Sequence, residues 1–209
     1  MVKLHVARWL SKEVILGISS TQEAIIFLEA IQKQIKIVDI VADYYPGKVT
    51  IRFEGAKENL KDAIDLARNI HQTVKGMLYP DDEQNFTYDI AFLSKVTGKT
   101  FPIKTLLKIL QLQNYKTTRE DGTLITQIKF DSLSDLIHLI DKIYSEMPYE
   151  VATSSLRDVL AILVIFKNIA IDKAIDIAKR QKVISEDEFN RLKLTMDRDN
   201  AIEKCLKKA

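Results

Sequence analysis

The chain has 209 residues and a formal net charge of +2, with 46% hydrophobic and 29% charged residues. This balance excludes a fibrous or disordered chain, and the small net charge excludes a nonspecific polycation. One cysteine, Cys205, cannot form an internal disulfide, which is typical of a reducing compartment. The longest apolar run, residues 159–166, is less than half of the roughly 20 residues that span a bilayer. The N-terminus has no signal-peptide pattern, so we expect a cytoplasmic protein.

Residues 1–79 predict a first unit with the order strand, helix, strand, strand, helix. Alternation predicts a strand over 2–6, and an apolar run predicts a buried strand over 14–19. Apolar residues recur at helical spacing over 24–35, after Ser20 or Thr21 as a cap. Two strands then flank the turn signal Pro46-Gly47, and an amphipathic helix covers 60–74. In the second of these strands, inward Val49, Ile51 and Phe53 alternate with outward Lys48, Thr50 and Arg52.

A second unit over residues 86–148 repeats this order more loosely after a linker at 80–85. Residues 86–93 predict a strand or a short helix, and 103–110 predict a helix. Asp121-Gly122 between two strands predicts a hairpin, because glycine accepts a positive φ. Outward positions of the second strand are Ile125, Gln127 and Lys129. A final helix over 133–147 has Asp131, Ser132 or Ser134 as its cap.

Residues 149–209 predict a helical region. The run SLRDVLAILVIFK is apolar almost all round and predicts a buried helix. Helices are also expected over 172–182, after the capping-box pattern at 185–188, and over 198–208. The predicted fold is therefore α+β. It consists of two small βαββα units, with ferredoxin-like or KH-like sheets covered by helices on one side, followed by a helical C-terminal bundle.

The tripeptide Gly98-Lys99-Thr100 raises the question of a phosphate-binding loop. A Walker loop needs a glycine at the position of Leu93 and a parallel sheet, and neither is predicted. The alternative is a surface loop whose Thr100 caps the next helix, with Pro102 in the first turn.

Other enzyme and metal signatures are also missing from the sequence. His5, His71 and His138 lie on different predicted elements, with no second ligand at helical spacing, so helix-surface or boundary positions are expected. No catalytic motif occurs. We therefore expect no enzyme, no metal site and no cofactor.

Charge is segregated along the chain. Residues 86–130 carry seven Lys or Arg against three acids, whereas residues 131–150 carry one Lys against five acids. Lysines surround the predicted helix start near residue 103, where free N–H groups favour an anion. On the open sheet faces, only Tyr44 or Tyr45 is placed to stack on a base. The predicted contacts to nucleic-acid phosphates are Lys95, Lys99, Lys104, Lys108, Lys48, Arg52, Lys116, Arg119 and Lys129.

These patterns favour a non-enzymatic protein that binds RNA or a ribonucleoprotein through backbone phosphates. The alternative is a protein-interaction or dimerisation module with no nucleic-acid binding, in which the acidic 131–150 segment pairs with the basic one across a dimer. No membrane partner is expected.

One stretch carries a family resemblance. The run KTLLKILQLQNYKTTREDGTLITQ (104–127) has a leucine-rich helix, an Asn-Tyr strand start and an Asp-Gly turn. It resembles an uncharacterised archaeal family, a domain of unknown function, over most of the chain, including LRDVLAIL in the tail. The resemblance implies an archaeal cytoplasmic protein and supplies no catalytic residue.

Overall fold

The computed structural model describes residues 9–207 and confirms the α+β class, with small antiparallel sheets and C-terminal helices. The described residues form two compact units, 9–92 with 120–125 and 93–119 with 126–207. The strand predicted over 2–6 lies outside the described residues, as does His5. The domain boundaries expected from the sequence stay a prediction.

The first unit has the expected order of elements over residues 9–78. Its sheet is antiparallel with the order β1-β3-β2, so β3 is central and β1 lies at an edge. The buried strand expected over 14–19 is therefore wrong in extent and burial, since β1 begins at Trp9 and exposes one face. The elements are β1 (Trp9–Gly17), α1 (Thr21–Gln34), β2 (Asp39–Tyr45), β3 (Lys48–Ala56), α2 (Lys57–Leu78) and β4 (Phe86–Asp89).

The alternation predicted for β3 is confirmed. Val49, Ile51 and Phe53 are fully buried, whereas Lys48 and Arg52 are exposed. α2 packs on this buried side of the sheet and against α1. Its buried positions recur every three or four residues, as one face of a helix requires: Leu60, Ala63, Ile64, Ala67, Ile70, His71, Val74 and Met77.

A buried Glu–His pair ties α1 to α2. Ser20 caps α1 as expected, accepting a hydrogen bond from the N–H of Glu23 at 3.1 Å. The Glu23 carboxylate is fully buried, and its Oε1 lies 3.0 Å from Nε2 of His71. Its Oε2 accepts from the Ser19 N–H at 2.7 Å and the Tyr79 hydroxyl at 3.0 Å. The surface or boundary position expected for His71 is wrong, because this residue is only 4% exposed. His138 is exposed, as expected.

β4 forms a second three-stranded sheet with β5 (Thr117–Glu120) and β6 (Thr123–Thr126), in the order β4-β6-β5, and the last two described strands form a separate hairpin. Asp121 and Gly122, with φ of +42° and +82°, form the predicted turn. Residues 86–97 contain a short strand and then a short helix, the two structures left open by the sequence. The elements are α3 (Ile90–Thr97), α4 (Ile103–Leu112), β5 (Thr117–Glu120), β6 (Thr123–Thr126), α5 (Phe130–Ser145), α6 (Ser154–Lys167), α7 (Ile171–Arg180), β7 (Ile184–Glu186), β8 (Leu192–Leu194) and α8 (Arg198–Lys207).

α6 is the central helix of the second unit, and its predicted burial is confirmed. It is capped by Thr153, and it packs against α4, α5, α7 and α8. These neighbours cover it on several sides, which explains why its sequence is apolar almost all round. Its buried residues are Leu156, Val159, Leu160, Ala161, Ile162 and Leu163.

Two local predictions in this unit are wrong. The helix expected after the pattern at 185–188 is instead the β7-β8 hairpin, because the Asp187 carboxylate accepts the turn N–H groups of Phe189 and Arg191 at 2.9 Å each. Those hydrogen bonds lower the pKa of Asp187. The caps proposed for α5 are also wrong, since α5 begins at Phe130 after Lys129, upstream of all three candidates.

Candidate nucleic-acid interface

The candidate site is the loop 98–102 and the first two turns of α4, which we name the α4 entry. Gly98 has a φ of +66° and open space around its Cα, so the chain reverses there without crowding. The cap predicted for Thr100 is wrong, because α4 begins at Ile103 with Pro102 as its N-cap. Proline disfavours helical backbone in the residue before it, which keeps Phe101 out of the helix.

The N-terminus of α4 lacks a side-chain cap. The N–H groups of Thr105 and Leu106 bond to the Pro102 carbonyl at 3.0 and 3.1 Å, so the helical ladder starts at Pro102. The N–H groups that precede this ladder, with the helix dipole, give the α4 entry a positive electrostatic potential.

Four of the predicted lysines follow this stretch of chain. Lys95 lies in the last turn of α3, and Lys99 lies in the loop. Lys104 is exposed in the first turn of α4, and Lys108 is half-buried one turn later on the same face. Nζ of Lys99 lies 2.6 Å from the Asp141 carboxylate, and Nζ of Lys108 lies 3.5 Å from that of Asp199, so both of these lysines have an acidic partner.

The Lys99–Asp141 pair bears on the charge segregation seen in the sequence. Lys99 belongs to the basic segment 86–130, and Asp141 belongs to the acidic segment 131–150. The two segments therefore make at least one ion pair inside a single chain.

A hydrogen-bonded cluster holds α4 in place. The Thr105 hydroxyl donates to Oδ1 of Asp158 at 2.8 Å, and the Tyr144 hydroxyl donates to the same oxygen. Burial, followed by the hydrogen bond to Asp158, raises the pKa of Tyr144. Arg198 joins from α8, since its Nη1 lies 3.5 Å from Oδ2 of Asp158 and its Nη2 donates to the Lys104 carbonyl at 3.3 Å. Three helices, α5, α6 and α8, thus hold the first turn of α4.

This cluster was missed by sequence reasoning. Arg198 is 94 residues from Lys104, and Asp158 is 53 residues from Thr105. Each of these residues has an ordinary position in its own helix, so no local signal marks it.

The structure places Lys48 and Arg52 in the first unit, outward on β3. Nε of Arg52 lies 2.9 Å from Oε1 of Glu54, and the register sets Glu13 opposite Arg52. The Lys48 ammonium lies 5.7 Å from the centre of the Tyr45 ring. Acidic neighbours make this strand a poor surface for phosphate.

The three other predicted contacts lie on separate parts of the second unit. Lys116 precedes β5, Arg119 lies in β5, and Lys129 is the N-cap residue of α5. All three are exposed. A strand had been expected to include both Gln127 and Lys129. Instead, Gln127 follows the end of β6, and Lys129 lies at the start of α5.

Among residues 9–207, no group of three or more His, Cys, Asp or Glu is placed to hold a metal ion. Over the same residues, no helix combines the length and the apolar character that a membrane span requires.

Comparison with known protein families gives a match. The profile of a family described as an uncharacterized protein conserved in archaea (DUF2067) matches residues 16–203. The chain belongs to this family. The family resemblance seen in residues 104–127 is thereby confirmed. No curated protein and no solved structure matches this DUF2067 chain.

Proposed function

We propose that this DUF2067 protein is a non-enzymatic, cytoplasmic protein that binds RNA, alone or in a ribonucleoprotein, through backbone phosphates at the α4 entry. The observation that carries the proposal is the uncapped start of α4, next to Lys99 in the loop and Lys104 in the first turn. Helix N-termini bind phosphate through free N–H groups and the helix dipole. Lysines add the charge that such binding needs.

An analogy at the level of the fold supports the same site. Residues 86–145 follow the order strand, helix, helix, strand, strand, helix, with the strand order β4-β6-β5. KH domains clamp the backbone of four nucleotides with a GXXG loop. The loop between α3 and α4 has one glycine, Gly98, where that motif has two, so lysine contacts must carry more of the binding. The order β1-β3-β2 in the first sheet follows the same scheme and supports an internal repeat.

The ion pair at Lys99 is compatible with phosphate binding. The side chains of Lys99 and Asp141 are 38% and 33% exposed, and such partly exposed pairs contribute about 0–1 kcal/mol to stability. A phosphate that approaches the loop offers Lys99 an alternative anion and releases condensed counterions. The exchange therefore costs little.

The test is fluorescence anisotropy of labelled single-stranded and duplex RNA at low and moderate salt. The variant Lys99→Gln/Lys104→Gln removes two charges from the α4 entry. Its matched control, Lys33→Gln/Lys61→Gln, removes two exposed charges from α1 and α2, and also breaks an ion pair, Lys33–Glu29 at 3.4 Å. We expect the first variant to weaken binding and to reduce the salt slope by about 1 per lysine, while the control binds as the wild type does.

Two results would contradict the proposal. If both variants lose the same affinity, binding depends on net charge and the site is wrong. If the wild type does not bind RNA at low salt, the function is wrong, and the protein-interaction or dimerisation module without nucleic-acid binding becomes the better account.

A further inference from the structure

The first sheet has an open face, on the side opposite the buried residues of β3. In an antiparallel pair, residues directly opposite each other point to the same side of the sheet. The register therefore places neighbours of Lys48, Thr50, Arg52 and Glu54 on this face. From β1 these are Ser11, Glu13 and Ile15, with Trp9 opposite Ala56, and from β2 they are Asp39, Val41, Asp43 and Tyr45.

Large apolar side chains on this face are exposed to solvent. Trp9 is 66% exposed, Ile15 59%, Tyr45 53% and Val41 45%. Single exposed apolar residues are normal, but four on one face of a three-stranded sheet mark a surface that gains free energy when it is covered. Aromatic residues such as Trp9 and Tyr45 are enriched in protein interfaces.

The charges on the open face are mainly negative. The open face carries four carboxylates (Glu13, Asp39, Asp43 and Glu54) and two cations (Lys48 and Arg52). Its formal charge is therefore 2 − 4 = −2. The whole chain has the opposite sign, at +2. Glu54 is already paired with Arg52, which leaves the negative charge mainly around Glu13, Asp39 and Asp43.

We infer that the open face of the first sheet binds a basic segment of a partner protein that also carries apolar side chains. Lysine or arginine of the partner pairs with the carboxylates, and its apolar side chains cover Trp9, Ile15, Val41 and Tyr45. Nucleic acid does not fit, because its phosphates have the same sign as the face. A second copy of this chain does not fit face to face either, since it brings the same negative charge. This surface shares no residue with the α4 entry, and the inference does not rest on RNA binding.

Trp9 gives a direct readout, because it is the single tryptophan of the chain. The probe is a peptide of alternating lysine and leucine, titrated while the tryptophan emission is recorded. Its counterpart alternates glutamate and leucine. We expect the lysine peptide to shift the emission to shorter wavelength, less so as salt rises, and the glutamate peptide to leave it unchanged. No shift with the lysine peptide, or equal shifts with both peptides, would overturn the inference.

Matched variants separate this face from the overall charge of the chain. Glu13→Gln/Asp43→Asn removes two carboxylates from the face, and we expect about a tenfold loss of affinity for the lysine peptide. The control, Asp172→Asn/Asp176→Asn, removes two exposed carboxylates from α7 in the second unit and should bind as the wild type does. An equal loss in both variants would contradict the inference.

Two further titrations test the two other possible occupants of the open face, nucleic acid and a second copy of the chain. If single-stranded RNA shifts the Trp9 emission and the lysine peptide does not, the occupant is nucleic acid. If the emission shifts when the protein alone is concentrated, the occupant is a second copy. Either result overturns the inference, whereas constant emission in both titrations supports it.

Discussion

The buried Glu23 carboxylate gives a sharp test of how the first unit is held together. We consider Glu23→Gln, which keeps the size of the side chain and removes its charge. The carboxylate accepts three hydrogen bonds, from the Ser19 N–H, the Tyr79 hydroxyl and Nε2 of His71. A glutamine keeps three partners if its carbonyl faces Ser19 and Tyr79 and its amide donates to the other tautomer of His71.

The expected magnitude follows from the loss of charge. A hydrogen bond to a charged group contributes about 1.5–3 kcal/mol, and one between neutral groups about 0.5–1.5 kcal/mol. Each of the three bonds therefore weakens by about 1 kcal/mol. The substitution should therefore lower the free energy of unfolding by about 2–3 kcal/mol. The lower end of this range applies because a neutral glutamine costs less to bury than a carboxylate does.

Urea unfolding at neutral pH, followed by circular dichroism, measures this difference. The matched control is Glu29→Gln, also on α1, whose side chain is 61% exposed and paired with Lys33 at 3.4 Å. The control should change the free energy of unfolding by less than about 0.5 kcal/mol. A Glu23→Gln protein as stable as the control would refute the reasoning that this carboxylate links α1, α2 and Tyr79.

Three other predictions concern packing and titration. Tyr144→Phe removes a hydroxyl donor to Asp158 and should cost about 1–2 kcal/mol at neutral pH. Because the pKa of Tyr144 is raised above its ordinary value of 10.0, the contribution of its hydroxyl to stability is complete below that pH and is lost as the pH rises beyond it. The wild type should therefore lose stability more steeply than Tyr144→Phe at high pH. Parallel pH profiles of the two proteins would contradict this. Gly55→Ala places a Cβ 2.9 Å from Cγ1 of Val38 and should lower the free energy of unfolding in urea by about 1–3 kcal/mol. At Gly17 a Cβ meets no atom within 4 Å, so Gly17→Ala should show no such loss. Equal losses in the two variants would contradict this reasoning. Burial raises the pKa of the Cys205 thiol, so iodoacetamide should label it much more slowly in the native protein than in urea, and equal rates would argue against its burial.

The fold could be predicted where the signal is local. Alternation in β3 was confirmed because each inward residue follows from its own sequence spacing. The Asp121-Gly122 turn was confirmed because few residues accept a positive φ. The buried helix α6 follows from a run of apolar residues that no exposed helix would carry.

The wrong predictions arose where one local pattern serves two structures. At 185–188, serine and acidic residues are typical of a helix start, but the Asp187 carboxylate serves a hairpin turn in the same way. At the start of α4, Thr100 is a good capping residue, but Pro102 sets the helix start two residues later. Sequence alone does not decide between such structures, because tertiary packing selects one of them.

The electrostatics of the candidate site could not be predicted at all. Lys99 and Lys108 belong to a segment that is basic in sequence, but in the structure each has an acidic partner from a distant helix. The structure also pairs Arg52 with Glu54 and places Glu13, from another strand, opposite it. Contacts between residues far apart in the chain depend on the packed fold, so they carry no local signal.

Hydrogen exchange of the backbone amides, with and without single-stranded RNA, tests the central claim most directly. Binding through the α4 entry predicts slower exchange in the peptides that cover residues 98–108, with little change in β2 and β3. Protection over residues 39–56 with none at 98–108 would place RNA on the first sheet and would contradict the assignment of the α4 entry. RNA that binds in the same sample and protects neither region would also contradict it.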